Sequence, residues 1–295
     1  MKTLLPTERI NTRTQRLDRL SPVQAARLIN AEDFNAARAV KQAAPAIAQA
    51  IACAAETFLN KHKIIFIGAG TSGRLGILEA VECGPTFGVR PGQIIGILAG
   101  GRKAMFRSVE NAEDKATQGG KDVLQKARAG DFVLALTASG TTPYVLGALQ
   151  AARQAGCHTA LLACNPQADT RHADIFICLA TGAEALSGST RMKAGTATKM
   201  ALNAITTGAM ARVGKIYGNL MVDVQPTNRK LVARATRLIS QIAKTDEATA
   251  ARCLQAARGS VKIAVIMHQK NCTYATAKRL LQKHRGFLRE VLHEK

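Results

Sequence analysis

The sequence predicts an α/β protein: a doubly wound, parallel, five-stranded sheet with N-terminal helices and a small C-terminal helical bundle. Two observations carry the sheet. Short apolar runs near residues 64–67, 94–98, 132–136, 159–163 and 174–179 alternate with helical stretches, and strands that are apolar throughout, rather than at every second position, are covered on both faces. The runs at 64–67 and 132–136 also feed directly into glycine- and hydroxyl-rich loops that open helices, the junction from which right-handed crossovers are built. The third observation is that strand patterns stop beyond Asn219 and helical ones return. With 295 residues, 47% of them hydrophobic, the chain is long enough to bury a full core. The expected division is an N-terminal helical segment over 1–60, a sheet domain over 61–218 and a helical domain over 219–295.

Along the chain, an extended lead-in over 6–16 gives way to Ser21-Pro22, a capping hydroxyl followed by proline at the first helical position. Ile47 and Ile51 then lie four apart, on one packing face of a helix. After the sheet, helices are expected over 229–243, 245–258, 261–269 and 274–283. The second of these opens on Thr245-Asp246-Glu247, a cap with first-turn acids.

The loops carry the chemistry. Gly68-Ala69-Gly70-Thr71-Ser72-Gly73-Arg74 and Thr137-Ala138-Ser139-Gly140-Thr141-Thr142-Pro143 each follow a strand and open a helix. Glycines let the backbone turn its N–H groups outward, and a helix start offers unpaired donors to an anion. In a parallel sheet both loops fall at the carboxyl edge, where ligands bind. The loop after the last strand, 181–191, falls there too. A dinucleotide site needs an acid at the end of the next strand for the ribose, but that strand ends Leu98-Ala99-Gly100-Gly101-Arg102. Two hydroxyl loops suit a single phosphate monoester better than a pyrophosphate. Thr71, Ser72, Ser139, Gly140, Thr141 and Thr142 are the candidate phosphate cradle. Arg191 and Lys193 either add charge from the third loop or begin the next helix.

Composition narrows the partners. The formal charge is +21, from 41 Lys and Arg against 20 Asp and Glu. Nucleic acid is disfavoured, because the basic residues are spread along the chain, aromatics are 4% and no zinc-finger or RNA-binding motif is present. A general positive field instead draws small phosphorylated substrates. The seven cysteines form no C-x-x-C pair and no cluster with histidine, which reads as reduced thiols in a cytoplasm without a metal site. No apolar run reaches the roughly 18 residues of a membrane span, and no apolar signal core follows Met1.

The string from Gly68 to Gly88, GAGTSGRLGILEAVECGPTFG, closely resembles the signature of the N-acetylmuramic acid 6-phosphate etherases, within the sugar isomerase (SIS) superfamily of phosphosugar-binding domains. Similar strings are Asn111-Ala112-Glu113-Asp114, 138–144, 187–196 and 218–224, so the resemblance covers nearly the whole chain. It implies an SIS-type three-layer sandwich, a homodimer, no cofactor, and cleavage of the ether between C3 of the sugar and D-lactate. It also places the catalytic glutamates on Glu82, as the acid that protonates lactate and activates water, and Glu113, as the base at C2. Glu82 is expected at a helix end before Cys83-Gly84-Pro85, where the dipole disfavours a carboxylate's charge and suits a proton donor. Its rival is a surface acid paired with Glu79. Glu110 and Glu113 are expected three apart on a helix. For Glu184 the expectation is substrate hydrogen bonding or loop support.

The chain departs from the resemblance in having Thr141 in place of arginine, Gly84 in place of proline, and Arg102 where glutamate is common. A non-catalytic sugar-phosphate regulator of the glucokinase-regulatory type and a phosphosugar isomerase are the rival readings. A DNA-binding sugar-phosphate regulator is a third, but no convincing helix-turn-helix precedes the sheet.

Overall fold

Five parallel strands form one sheet, with Ile64–Gly68 (β1) at its turning point. Ile94–Leu98 (β2) pairs on one side of it and Phe132–Thr137 (β3) on the other, followed outward by His158–Ala163 (β4) and Ile175–Cys178 (β5). The computed structural model describes residues 4–226 and 228–294. All strand positions of β1 and β3 are buried, as continuous apolar runs require. The order β2-β1-β3-β4-β5 reverses direction between β1 and β3, so a crevice opens beyond their carboxyl ends.

Contacts divide the chain into two compact units, the first comprising the chain up to Val81 together with Gly92–Thr206. Its helices are Pro22–Gln42 (α1), Ala44–Leu59 (α2), Gly70–Phe87 (α3) as far as Val81, Lys103–Phe106 (α4), Ala116–Leu124 (α5), Pro143–Gln154 (α6) and Lys193–Arg212 (α7) as far as Thr206. Ser21 and Gln24 close a capping box on α1, a device that stabilises a helix start by about 1 kcal/mol. One sheet face, with Ile65, Ile67, Val133, Ala135 and Leu161, packs on Val123 of α5 and on Tyr144, Val145 and Leu149 of α6. On the other face Gly76 of α3 lies so close to Phe66 that a Cβ there would stand 2.9 Å from the Phe66 Cβ, and α2 packs against β1, β3 and β5.

The second unit comprises Glu82–Pro91 and the chain from Thr207 onward. Arg229–Ala243 (α8), Glu247–Ala256 (α9), Val261–Gln269 (α10), Tyr274–Lys283 (α11) and Leu288–His293 (α12) enclose a core that includes Ala235, Ile239, Leu254 and Val265. The first four of these helices begin on side-chain caps: Asn228, Asp246, Ser260 and Thr273 accept from the amides of Leu231, Thr249, Ile263 and Thr276. Asp223 accepts from the buried ammonium of Lys262 at 2.6 Å and lies 3.3 Å from that of Lys215, which gives the acid of the 218–224 string a structural task. Among the described residues no helix is long and apolar enough to cross a membrane.

Candidate active site

The carboxyl ends of β1 and β3 open into a cleft of about 360 Å³ lined by Thr71 and Ser72 from the first loop and Ser139, Thr141 and Thr142 from the second. α3 begins at Gly70, so its N-terminus offers unpaired amides beside this space, whereas at the start of α6 Pro143 has no N–H and the Tyr144 amide is taken by the Glu113 carbonyl. The second loop is knotted by its own hydroxyls. Thr137 Oγ1 and Thr142 Oγ1 are 2.8 Å apart, Ser139 Oγ lies 3.3 Å from both, and the Thr141 amide donates to Ser139 Oγ at 3.2 Å. Asn165 fixes the turn from outside, donating to the Ser139 carbonyl at 2.9 Å. Gly140 has φ +76°, and a Cβ on it would meet Ala168 at 2.3 Å, so only glycine fits. It shapes the turn without lining the cleft.

Glu113 supplies a carboxylate to the same wall. It does not stand on a helix with Glu110. Residues 107–115 form turns and bends between α4 and α5, with Asn111 at φ +56°, so the three-residue spacing has no helical meaning. Glu113 also lines a second pocket of about 220 Å³ that shares Ala69 and Gly70 with the first and is walled by Arg74, Ser108, Glu110 and Asn111.

Gly188 and Thr190 of the third loop line the wall as its place at this edge predicts, but sequence reasoning missed the part contributed by Thr7 and Glu8. The Gly188 amide donates to the Thr7 carbonyl at 3.1 Å, and a Cβ on Gly188 would stand 2.8 Å from Glu8 Oε2. The N-terminal segment is thereby strapped over the third loop, and it brings a further acid to the cleft. No local signal marks a contact made across so much sequence.

Five candidates fall outside the cleft wall: Gly140, Glu82, Glu184, Arg191 and Lys193. Glu184 is fully buried, and its two carboxylate oxygens each accept at 2.9 Å from the amides of Lys193 and Ala194. It therefore caps the start of α7 and supports the loop, the second of the two roles expected for it. The Lys193 ammonium is 2% exposed and bonds Glu32 of α1 at 2.7 Å. Its charge is spent inside the core, because a buried ammonium must be paired. Arg191 is exposed beside it.

Glu82 requires the largest revision. α3 does not end there but runs through Pro85 to Phe87, so the terminal-dipole argument does not apply to it. Proline removes the bond to the Val81 carbonyl, yet Val81 is 67% exposed and water can serve that group. Glu82 is itself exposed and falls in the second unit, whereas the residues that line the cleft all belong to the first. Glu79 is no surface acid. Glu79 is buried, accepting from Thr206 Oγ1 at 2.5 Å and from the Lys199 ammonium. Arg102 lies in another groove with Ile77, Met105 and Phe106.

The chain is 51% identical over 290 residues to N-acetylmuramic acid 6-phosphate etherase of Synechococcus elongatus, covering 98% of this chain and 94% of that protein. It is 46% identical over 292 residues to the enzyme of the same name from Edwardsiella ictaluri, covering 98% and 97%. The chain belongs to the N-acetylmuramic acid 6-phosphate etherase family. Residues 46–153 of this etherase-family chain also match the model of the glucokinase regulatory protein N-terminal SIS domain. A solved structure from Bacteroides fragilis, assigned as a phosphosugar isomerase involved in capsule formation, has a TM-score of 0.50 at 16% identity, covering 65% of this chain and 91% of that one. At that identity the likeness is one of fold, the three-layer SIS sandwich.

Proposed function

We propose that the protein is a lyase that cleaves the D-lactyl ether of N-acetylmuramic acid 6-phosphate, releasing N-acetylglucosamine 6-phosphate and D-lactate. The observation that carries the reading is Glu113 on the wall of the hydroxyl-lined cleft, in a chain 45–51% identical along nearly its whole length to proteins of that name. The hydroxyls of Ser139, Thr141 and Thr142 and the amides at the start of α3 hold the phosphate. With the sugar opened to its aldehyde, the C2 proton is acidified, and Glu113 removes it. The electron pair forms the C2–C3 double bond as the C3–O bond breaks, and Glu82 gives the departing oxygen its proton. Water, activated by Glu82, then adds at C3, and a proton returns to C2. No cofactor enters this scheme.

In this reading the protein works as a homodimer in which Glu82 of a second copy completes the cleft. The surrounding context is cytoplasmic recycling of cell-wall sugars. The sheet domain over 61–218 does the phosphosugar binding, with Thr7 and Glu8 of the N-terminal segment completing the cleft wall.

The test is incubation of the purified protein with N-acetylmuramic acid 6-phosphate and enzymatic assay of D-lactate. Stoichiometric lactate and N-acetylglucosamine 6-phosphate are expected. Tight binding without lactate sinks the lyase reading in favour of the regulator.

A further inference from the structure

The second pocket is separated from the phosphate cleft by Ala69, Gly70 and Glu113, which line both. Its distinctive group is Arg74, one turn into α3. The Arg74 Nε donates to the Ala104 carbonyl at 3.0 Å and Nη2 to the Arg107 carbonyl at 3.4 Å. Those two bonds fix the side chain but leave its charge intact, since carbonyls are neutral and a guanidinium has five N–H donors. Among the described residues Arg74 has no carboxylate within ion-pair distance, although it is only partly exposed. A half-buried guanidinium held rigid with donors to spare is matched to a planar anion.

We infer that this pocket is the subsite for the lactyl group, with Arg74 receiving its carboxylate. The inference rests on the etherase reading and deepens it. A substrate whose phosphate occupies the cleft and whose carboxylate reaches Arg74 must cross the wall that Glu113 forms. That places the base beside the C2–C3 segment, where the proton is lost and the ether breaks. Glu110 also lines the pocket, so the guanidinium is the group that makes it hospitable to a carboxylate. Arg74 is here a specificity-determining residue. Ser108 and Asn111 are the neutral donors within the same wall.

The experiment compares two ligands that differ only in the lactyl group, using full-length wild type, Arg74→Lys and Arg74→Met. For wild type, kcat/KM is measured with N-acetylmuramic acid 6-phosphate, and N-acetylglucosamine 6-phosphate is titrated as a competing ligand. Arg74→Met is expected to lower kcat/KM at least about tenfold while the dissociation constant of N-acetylglucosamine 6-phosphate moves less than about twofold. Arg74→Lys, which keeps the charge and loses the fork, is expected to fall between. Equal weakening of both ligands overturns the inference, because it would mean that Arg74 holds the phosphate or merely braces residues 104–107. If wild type releases no lactate, the etherase reading fails by itself. Equilibrium binding of the same two sugar phosphates then still judges Arg74, with a preference that survives Arg74→Met counting against it.

Discussion

The backbone carbonyl of Glu113 accepts a hydrogen bond from the Tyr144 amide at 2.9 Å. Tyr144 is the second residue of α6, fully buried, and its hydroxyl donates to Asp122 of α5 at 2.7 Å. The turn that carries the candidate base is therefore tied to the helix start that carries the phosphate hydroxyls, and α6 sets the spacing between them.

Glu113→Gln leaves that backbone bond in place and removes only the basicity. Lactate release is expected to fall by at least about 10²-fold, and exchange of the C2 proton with deuterated solvent to fall with it. N-acetylglucosamine 6-phosphate should bind within about twofold of wild type. Persistent C2 exchange, followed by proton NMR, would take Glu113 out of the base role.

The same anchoring depends on α5 lying almost in backbone contact with α6. A Cβ on Gly119 would stand 1.9 Å from the Tyr144 carbonyl oxygen, whereas one on the adjacent Gly120 would meet nothing nearer than 3.4 Å. Gly119→Ala is expected to destabilise the protein by about 1–3 kcal/mol through overpacking and to lower activity by moving the Glu113 turn. Gly120→Ala should be neutral or stabilise by about 0.5–1 kcal/mol, since alanine suits a helix interior better. Urea midpoints of the two variants decide it, and equal midpoints would refute the close-contact account.

Lys193 and Glu32, both 2% exposed, test the correction made to the third loop. Lys193→Met leaves Glu32 buried beside Asn11 and Arg13, and removing one partner of such a pair costs about 3–5 kcal/mol. Burial alone pushes the Glu32 carboxyl up, but the bonds from Lys193 and Asn11 outweigh it and hold the group below its ordinary 4.5. A depressed carboxyl contributes stability that is present above its unfolded value and lost as pH falls through its folded one. Wild type should therefore lose this contribution below about pH 4.5. In Lys193→Met the lowering partner is gone, and protonation of Glu32 relieves the buried charge. Glu184, which burial already pushes up, loses Lys193 as well and moves the same way. The stability gap between wild type and variant should shrink from pH 7 to pH 4 in urea titrations. A gap that stays constant would mean that the pair carries no pH-dependent stability.

What the sequence disclosed and what it hid follow from range. The five strands were legible because each is apolar at nearly every position, a pattern that buried parallel strands alone require. Thr71, Ser72, Ser139, Thr141 and Thr142 were legible because strand, glycine, hydroxyl and helix start are neighbours in the chain. For Lys193 and Glu184 the sequence left ligand contact and loop or helix support both open, because a lysine 161 residues from its partner looks the same in sequence as one facing a ligand. Thr7 and Glu8 were missed for the same reason, as their docking on Gly188 is made through backbone. Arg74 stood in full view inside the glycine loop, but its unpaired charge shows only when the Ala104 and Arg107 carbonyls are seen around it.

Glu82, which the proposed mechanism draws from a second copy, gives the last and sharpest test. If a second copy supplies it, each site combines Glu113 of one chain with Glu82 of the other. Glu82→Gln and Glu113→Gln homodimers should each release almost no lactate. In a mixed dimer one site then carries both lesions and the other carries none. Random exchange of equal amounts makes half of the dimers mixed, so about a quarter of all sites recover. Subunits dissociated in mild denaturant and reassembled together should show about a quarter of wild-type lactate release, and each variant reassembled alone should show none. If both glutamates served the same chain's site, every site in the mixture would keep one lesion, and no activity would return. Silence from the mixture, with mixed dimers demonstrated by differential tagging, would remove the second copy's Glu82 from the mechanism.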